Sequence, residues 1–211
     1  MDARAWDERY AATELVWSAG PNQFVESELK DLRPGRALDL AAGEGRNAIW
    51  LAEQGWEVTA VDFSLVGLDK GRAALAQRPG GRDLHVEWVH ADVLEYDPGP
   101  VSFDLVLIAY LQLVADERRE AMRRGFDCLA VGGTLFVVAH DSTNIVEGTG
   151  GPSDPAVLYT AEDVLDDLRG CSFEVLRAER VSRQVVEDPV SHRAHPARTA
   201  YDCLVRLRRT A

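Results

Sequence analysis

Two glycines and an aspartate near the start of the chain have the spacing of a nucleoside-binding turn. Gly43 and Gly45 directly follow an apolar run at 37–41, where glycine lets the backbone turn sharply and approach a ligand closely. Asp62 comes 19 positions after Gly43, and a carboxylate at that distance can accept hydrogen bonds from both hydroxyls of a ribose. We therefore expect a ligand that contains a nucleoside.

A second acid, Asp39, narrows the choice of ligand. Gly43-x-Gly45-x-x-Ala48 satisfies the G-x-G-x-x-G/A fingerprint of dinucleotide sites, so the glycines by themselves also fit NAD. The Asp39 carboxylate would repel a pyrophosphate at this turn. S-adenosylmethionine has a sulfonium, an ammonium and a carboxylate but no phosphate, so Asp39 favours it, and Arg46 is expected to meet its carboxylate. An aspartate that only ties down backbone amides in the turn is the alternative.

Residues elsewhere in the chain extend this candidate site. Asp92 follows the third predicted strand, where it can accept a hydrogen bond from the adenine amino group while Val93 packs against the ring; a plain turn aspartate is the alternative. Trp6, Tyr10 and Trp17 recur at spacings of four and seven, on one helix face. These aromatics either fold over the cofactor or serve ordinary helix packing.

Histidines are the candidates for acid–base chemistry. His140 follows the fifth predicted strand, at the sheet edge where α/β sites gather, and is either a general base or orienting group or a structural histidine. His192 and His195, between the last two strands, either approach the substrate or have no role. Cys128 and the two other cysteines are widely spaced and predict neither a disulfide framework nor a zinc site.

Alternating strands and helices must position these residues. Strands are predicted at 37–41, 58–62, 86–89, 103–109 and 134–139, with helices at 47–53, 67–76, 117–129 and 160–169. This alternation predicts a doubly wound, mostly parallel sheet. The strands at 173–186 and 199–208 have no helix between them, so they are expected to pair antiparallel. The Gly- and Pro-rich segment 141–158 is either a lid or an inert loop.

Composition restricts the class of partner. With 211 residues, 46% of them hydrophobic and 27% charged, one globular domain is expected. A net charge of −12 argues against nucleic acid and anionic membranes as partners. Residues 171–211 hold 8 Arg and 5 acids, which indicates either a small-anion site or solvated arginines. The polar, acidic N-terminus and the absence of a long apolar run predict a cytoplasmic protein.

Four segments together resemble a known enzyme family. Residues 37–48, 58–64, 90–94 and 103–109 are similar to the ordered motifs of class I S-adenosylmethionine-dependent methyltransferases. The resemblance implies a Rossmann-like α/β fold whose seven-stranded sheet is mostly parallel with an antiparallel last strand. We expect one domain, with residues 1–35 as a helical cap over the cofactor and 36–211 as the core.

The same resemblance implies roles for individual residues. It places the methionine part of the cofactor along the turn, the ribose and adenine beside Asp62 and Phe63, and the methyl group beside Ala109 and Tyr110. His140 and Tyr110 are the candidates nearest the chemistry. The cofactor-binding candidates are Trp17, Asp39, Ala41, Gly43, Gly45, Arg46, Asp62, Phe63, Asp92, Val93 and Ala109.

A second, looser resemblance concerns the subgroup. Trp17-Ser-Ala-Gly-Pro-Asn22 and Gly45-Arg-Asn-Ala-Ile-Trp-Leu-Ala52 are similar to bacterial TehB-like and thiopurine-type methyltransferases. Ala109-Tyr-Leu-Gln112 departs from the Asn/Asp-Pro-Pro-Tyr pattern of enzymes that methylate amino groups of bases or glutamine. We therefore predict methyl transfer to a small molecule through a thiol, oxygen, nitrogen or a chalcogen or halide anion. A protic acceptor would gain from a general base, whereas a soft anion would need none. A nicotinamide-dependent oxidoreductase and a non-enzymatic S-adenosylmethionine-binding module are the alternatives.

Overall fold

The computed structural model describes residues 3–12, 20–99, 102–185 and 198–211. Trp17, His192 and His195 lie outside these ranges. The strands are β1 (Arg36–Leu40), β2 (Glu57–Asp62), β3 (Val86–His90), β4 (Phe103–Ala109), β5 (Leu129–His140), β6 (Phe173–Val185) and β7 (Arg198–Arg209). The helices are α1 (Ala3–Ala11), α2 (Gln23–Leu29), α3 (Arg46–Glu53), α4 (Leu65–Ala76), α5 (Ala115–Asp127), α6 (Asn144–Glu147) and α7 (Ala161–Asp167).

The strands form one seven-stranded sheet in the order β3-β2-β1-β4-β5-β7-β6. Strands β1 to β5 pair parallel, and β7 lies antiparallel between β5 and β6. This arrangement confirms the predicted Rossmann-like fold and the antiparallel pairing of the last two strands. Because parallel strands end at one edge of the sheet, the turns after β1, β2 and β4 come together there.

The central strands are apolar on both faces, as expected of a sheet covered by helices on both sides. In β4, Val106 and Ile108 belong to one core cluster, whereas Leu105 and Leu107 belong to the cluster on the opposite face. Asp39 is a buried acid within this otherwise apolar centre, 1% exposed. An ionisable group at such a position is costly to bury and marks a candidate for function.

The junction between α5 and β5 differs from the prediction. The helix ends at Asp127, two residues before the predicted end, and the strand begins at Leu129, five residues before the predicted start at 134, and continues through Gly132 and Gly133. The β4–β5 register shifts between Phe103 and Leu105, so extra β5 residues lie opposite this step. The two glycines therefore belong to an irregularity within the strand. By contrast, α7 begins as predicted, with a capping box between Thr160 and Asp163.

The N-terminal helix α1 is attached directly to the cofactor-side helix α4. The Asp7 carboxylate accepts hydrogen bonds from the Ser64 hydroxyl and the Val66 backbone N–H, and Lys70 donates to the carbonyl of Tyr10. The segment 141–158 is also tied to the sheet, since Asn144 accepts a hydrogen bond from the Tyr201 backbone N–H. Among the described residues, none of the helices has the length and apolar character required to cross a membrane.

Candidate functional site

A cavity of about 440 Å³ lies at the carboxyl edge of the parallel strands. That volume is in the range of small-molecule and cofactor sites. Most of the predicted cofactor residues line it, namely Ala41, Gly43, Arg46, Asp62, Phe63, Asp92, Val93 and Ala109, together with Tyr110. Residues that follow four of the parallel strands, β1 to β4, therefore line the same cavity.

Asp62 supports the floor of this cavity. One carboxylate oxygen accepts a hydrogen bond from the Gly43 backbone N–H at 2.8 Å, and the other accepts one from the Ser64 N–H at 2.8 Å. Each oxygen still has a lone pair for a ligand hydroxyl. Burial raises the pKa of Asp62 above its ordinary value, against the lowering effect of these two N–H groups. The carboxylate is therefore positioned both to hold the turn and to bind a ribose.

The two glycines of the turn are required for different reasons. Both have positive φ, 57° at Gly43 and 71° at Gly45. A side chain at Gly43 would meet the Tyr10 hydroxyl at 2.4 Å, whereas one at Gly45 would meet the Trp88 ring at 2.3 Å. Gly43 lines the cavity, but Gly45 packs against Trp88 below it. A direct contact between Gly45 and the cofactor stays a prediction.

Asp39 lies beneath the turn and does not line the cavity. Neither of its carboxylate oxygens has a hydrogen-bond partner among the described residues. Burial, followed by the nearby Asp62 carboxylate, raises the pKa of Asp39 to about 8, against a lowering effect of Arg46. With this pKa Asp39 is mostly protonated at neutral pH; a cationic ligand beside it would favour the ionised form, whereas a pyrophosphate would be repelled by that form. The site therefore fits S-adenosylmethionine better than a dinucleotide.

Aromatic side chains of α1 form part of the cavity wall. Trp6 and Tyr10 both line it, with their ring centroids 5.4 Å apart. The expectation that N-terminal aromatics lie at the cofactor site thus agrees with the placement of these two. The predicted contact of Trp17 concerns a residue outside the described ranges.

A second cavity of about 380 Å³ adjoins the first. Arg46 and Tyr110 line both cavities, so they lie at the boundary between them. His140, Arg183 and Gly151 are among the residues that line only the second cavity. Tyr110 has a positive φ of 59°, an unfavourable conformation for an aromatic residue that directs the chain between the two spaces.

Tyr110 is held by hydrogen bonds on two sides. Its hydroxyl accepts from the Asn22 side-chain amide at 3.2 Å and donates to Asp202 Oδ2 at 3.0 Å. Asn22 is fixed in turn, because its backbone N–H donates to the Asn47 side chain at 2.9 Å. Burial and the Asp202 carboxylate raise the pKa of Tyr110 above its ordinary value. The phenol therefore remains protonated and acts as a donor.

Asp202 is a member of the site that sequence reasoning missed. It is fully buried, on β7, directly opposite His140 on β5. Its Oδ2 also accepts a hydrogen bond from Arg183 Nε at 2.9 Å, and its Oδ1 lies 3.3 Å from His140 Nδ1. The available signal was an acid in the middle of the otherwise apolar run Ala200-Tyr-Asp-Cys-Leu-Val205. No cluster of His, Cys, Asp and Glu suited to a metal ion occurs among the residues described.

Sequence comparisons identify methyltransferases. A family model described as a methyltransferase domain matches residues 37–133. A demethylmenaquinone methyltransferase of Clavibacter sepedonicus is 37% identical over 132 residues, which are 61% of this chain and 52% of the relative. A tRNA 5-carboxymethoxyuridine methyltransferase of Escherichia coli is 32% identical over 130 residues, 59% of this chain and 48% of the relative. The chain thus spans about half the length of these curated relatives.

Solved structures show the same fold. TehB from Haemophilus influenzae superimposes with a TM-score of 0.71 at 16% identity, covering 90% of this chain and 63% of TehB. The N-methyltransferase NodS of Bradyrhizobium japonicum, solved with S-adenosylhomocysteine, gives 0.71 at 18% identity and full coverage of both chains. Residues 37–133, which include the glycine turn and the two aspartates, thus match a methyltransferase domain, and the chain has the fold of the class I S-adenosylmethionine-dependent methyltransferases.

Proposed function

We propose that this chain transfers the methyl group of S-adenosylmethionine to a small-molecule acceptor. The observation that supports this most directly is the pair of adjoining cavities that share Arg46 and Tyr110. The larger cavity is lined by Asp62, the acid expected to bind the ribose, and by the glycine turn, and the smaller one has room for an acceptor. Two ligands bound in these spaces would meet at the shared wall, which is the arrangement that a group transfer requires.

Each part of the cofactor has a candidate partner in the larger cavity. Asp62 would bind the ribose hydroxyls, Asp92 and Val93 would contact the adenine, and Arg46 would pair with the methionine carboxylate. Asp39, below the turn, would lose its proton when the cationic cofactor binds, and its carboxylate would then favour the ammonium and sulfonium. When bound, S-adenosylmethionine supplies an electrophilic methyl group, so the main task of the protein is to position the two reactants.

The N-terminal region would serve as a cap over the cofactor cavity. Because Trp6 and Tyr10 line the cofactor cavity and Asp7 attaches α1 to α4, residues 1–35 would cover the cofactor and residues 36–211 would form the core of one domain. Closure by aromatic side chains would exclude water from a reactive sulfonium. A cytoplasmic location belongs to the same proposal.

The acceptor is proposed to be a small molecule because the second cavity is small and the net charge is −12. Such a charge repels the phosphate backbone of a nucleic acid. The relatives differ in this respect, since one is named for demethylmenaquinone and another for a tRNA uridine. Transfer of tritiated methyl groups should therefore be measured with total tRNA and with a panel of small thiols, phenols and amines. Labelling of tRNA but of no small molecule would overturn the proposed acceptor class.

Calorimetric titration tests the cofactor. We expect S-adenosylhomocysteine to bind and NADH not to bind, because Asp39 and Asp62 leave no place for a pyrophosphate. Binding of NADH without binding of S-adenosylhomocysteine would overturn the proposal in favour of an oxidoreductase. Binding of S-adenosylhomocysteine without transfer to any acceptor would support a non-enzymatic module instead.

A further inference from the structure

Asp202 is oriented by donors from two other strands. Arg183 on β6 and Tyr110 at the end of β4 both donate to its Oδ2, at 2.9 and 3.0 Å. Its Oδ1 is left facing His140, whose Nδ1 lies 3.3 Å away. Both of these atoms are buried, and neither has a well-directed hydrogen-bond partner among the described residues. A small rotation of the imidazole ring would therefore let His140 Nδ1 donate a hydrogen bond to Asp202 Oδ1.

The charge of Asp202 is maintained by the same neighbours. Burial would raise the pKa of Asp202, but His140 and Arg183 together lower it below its ordinary value. The carboxylate is therefore ionised at neutral pH. An ionised carboxylate accepts a hydrogen bond from the Nδ1–H of a neutral imidazole, which places the free lone pair of the ring on Nε2.

The second cavity contains the other side of the His140 ring. His140 lines this cavity, and its side chain is 13% exposed although Nδ1 is buried. The ring is packed between Tyr110, at a centroid distance of 4.9 Å, and Gly151, where a side chain would approach the imidazole to 2.9 Å. This packing leaves Nε2 as the ring nitrogen available to a ligand in the acceptor cavity.

We propose that His140, positioned by Asp202, is the general base of this enzyme, and that the acceptor is a protic nucleophile, a hydroxyl, thiol or amine. The proposal rests on the proposed function and specifies its substrate class. A buried Asp–His pair with its free nitrogen toward the acceptor removes a proton, which a halide or chalcogen anion does not have. Arg183, the cation beside His140, is already paired with Asp202 and so offers little to such an anion.

The proposed step balances as follows. A lone pair of the acceptor atom forms the new bond to the methyl carbon, and the bond between methyl carbon and sulfur breaks with its electron pair left on sulfur. The proton of the acceptor passes to His140 Nε2, and the resulting imidazolium is stabilised by Asp202 until water takes the proton. The transferred methyl and the released proton account for every charge without a further reactant.

Nitrogen-15 NMR of His140 tests the pair without knowledge of the acceptor. In protein saturated with S-adenosylhomocysteine, the neutral ring should carry its proton on Nδ1, and a His140→Gln spectrum assigns the signal. In Asp202→Asn, Arg183 and Tyr110 would attract the new amide oxygen and turn its NH2 group toward His140. The ring should then change to the Nε2–H tautomer, which has no lone pair for the acceptor. An Nε2–H tautomer in the unmodified protein would overturn the proposal.

Kinetics separates a positioning role from a merely structural one. We expect Asp202→Asn to lower kcat about 10²-fold or more with catechol or benzylamine as acceptor, and to leave KM for S-adenosylmethionine nearly unchanged. The acid limb of the pH–rate profile should move to lower pH, because the carboxylate that stabilises the imidazolium is removed. Among the described residues, the charged or titratable groups that line the cavity with His140 or pair with it are Arg46, Tyr110, Arg183 and Asp202. Methylation of thiophenol at pH 8, where it is already a thiolate and has no proton to lose, should be unaffected.

Asp167→Asn is the matched control, because Asp167 is likewise a buried aspartate paired with an arginine and lines neither cavity. It should lower stability but leave the His140 tautomer and the pH–rate profile unchanged. Equal loss of activity toward catechol and thiophenolate in Asp202→Asn would overturn the proposal. If no acceptor of the panel is methylated, the tautomer of His140 in the unmodified protein still supports or overturns the proposed pairing of His140 with Asp202. Failure of S-adenosylhomocysteine to bind would instead refute the proposed function.

Discussion

The Asp62 carboxylate accepts a hydrogen bond from the backbone N–H of Gly43 at 2.8 Å. The acid expected to bind the ribose therefore also fixes the glycine turn on which the cofactor would lie. Because its other oxygen accepts from Ser64, at the start of α4, the same carboxylate connects two loops at the carboxyl edge of the sheet. The binding role and the structural role of Asp62 have to be separated by experiment.

Asp62→Ala should weaken S-adenosylhomocysteine about 10²-fold, because charge-assisted hydrogen bonds to both ribose hydroxyls are lost. Calorimetric titration measures the affinity, and Asp69→Ala, an exposed acid on α4, is the control. A 2′-deoxyribose analogue completes a double-mutant cycle. If Asp62 binds the ribose, the analogue should lose affinity in the unmodified protein but not in the variant. Equal losses in both proteins would assign Asp62 to the turn alone.

Asp39→Asn should change how stability depends on pH. The folded protein retains the Asp39 proton up to a pKa of about 8, above the ordinary value of 3.8. Between these values the folded state binds more protons than the unfolded state, so the unfolding free energy falls as pH rises. Urea unfolding at pH 5, 6.5 and 8 measures this free energy. The unfolding free energy of the variant, relative to that of the unmodified protein, should rise by at most about 1.4 kcal/mol per pH unit. If the unfolding free energies of the two proteins changed with pH by the same amount, the raised pKa of Asp39 would be contradicted.

Gly45→Ala should destabilise the protein by about 2 kcal/mol or more, since the new methyl group meets Trp88 and the residue has positive φ. Trp88→Leu in the same chain should recover part of the loss, because the ring that opposes the methyl group is removed. Thermal unfolding measures both effects. Absence of any recovery in the double variant would show that the backbone conformation, and not the Trp88 contact, requires glycine.

Asp167→Asn should lower the unfolding free energy by about 3 kcal/mol while S-adenosylhomocysteine affinity stays unchanged. Asp167 lies 2.6 Å from Arg118, and their side chains are only 2% and 8% exposed, so the variant leaves a buried guanidinium poorly compensated. Arg118→Met in the Asp167→Leu background should be less harmful, because no charge then remains buried. Greater loss in that double variant than in Asp167→Asn would contradict the explanation.

Local spacing was sufficient to predict that most of the candidate cofactor residues meet at one cavity. Gly43 and Asp62 are ends of consecutive parallel strands, and the βαβ unit that joins them brings such ends to one edge by its own geometry. The capping box at Thr160 is likewise a local pattern that the structure reproduces. The end of α5 was predicted less well, because the shifted register between β4 and β5 decides how Gly132 and Gly133 are used.

The sequence by itself determined the fold class, the turn at Gly43 and the acids Asp39 and Asp62, because each follows from a strand, a turn or a spacing within one stretch of chain. Only the tertiary structure decided that Asp202 joins Tyr110, His140 and Arg183. These four residues lie on or beside four different strands, and the antiparallel register of β7 brings them together. Pairing between distant strands depends on the packing of the whole sheet, which no local pattern encodes.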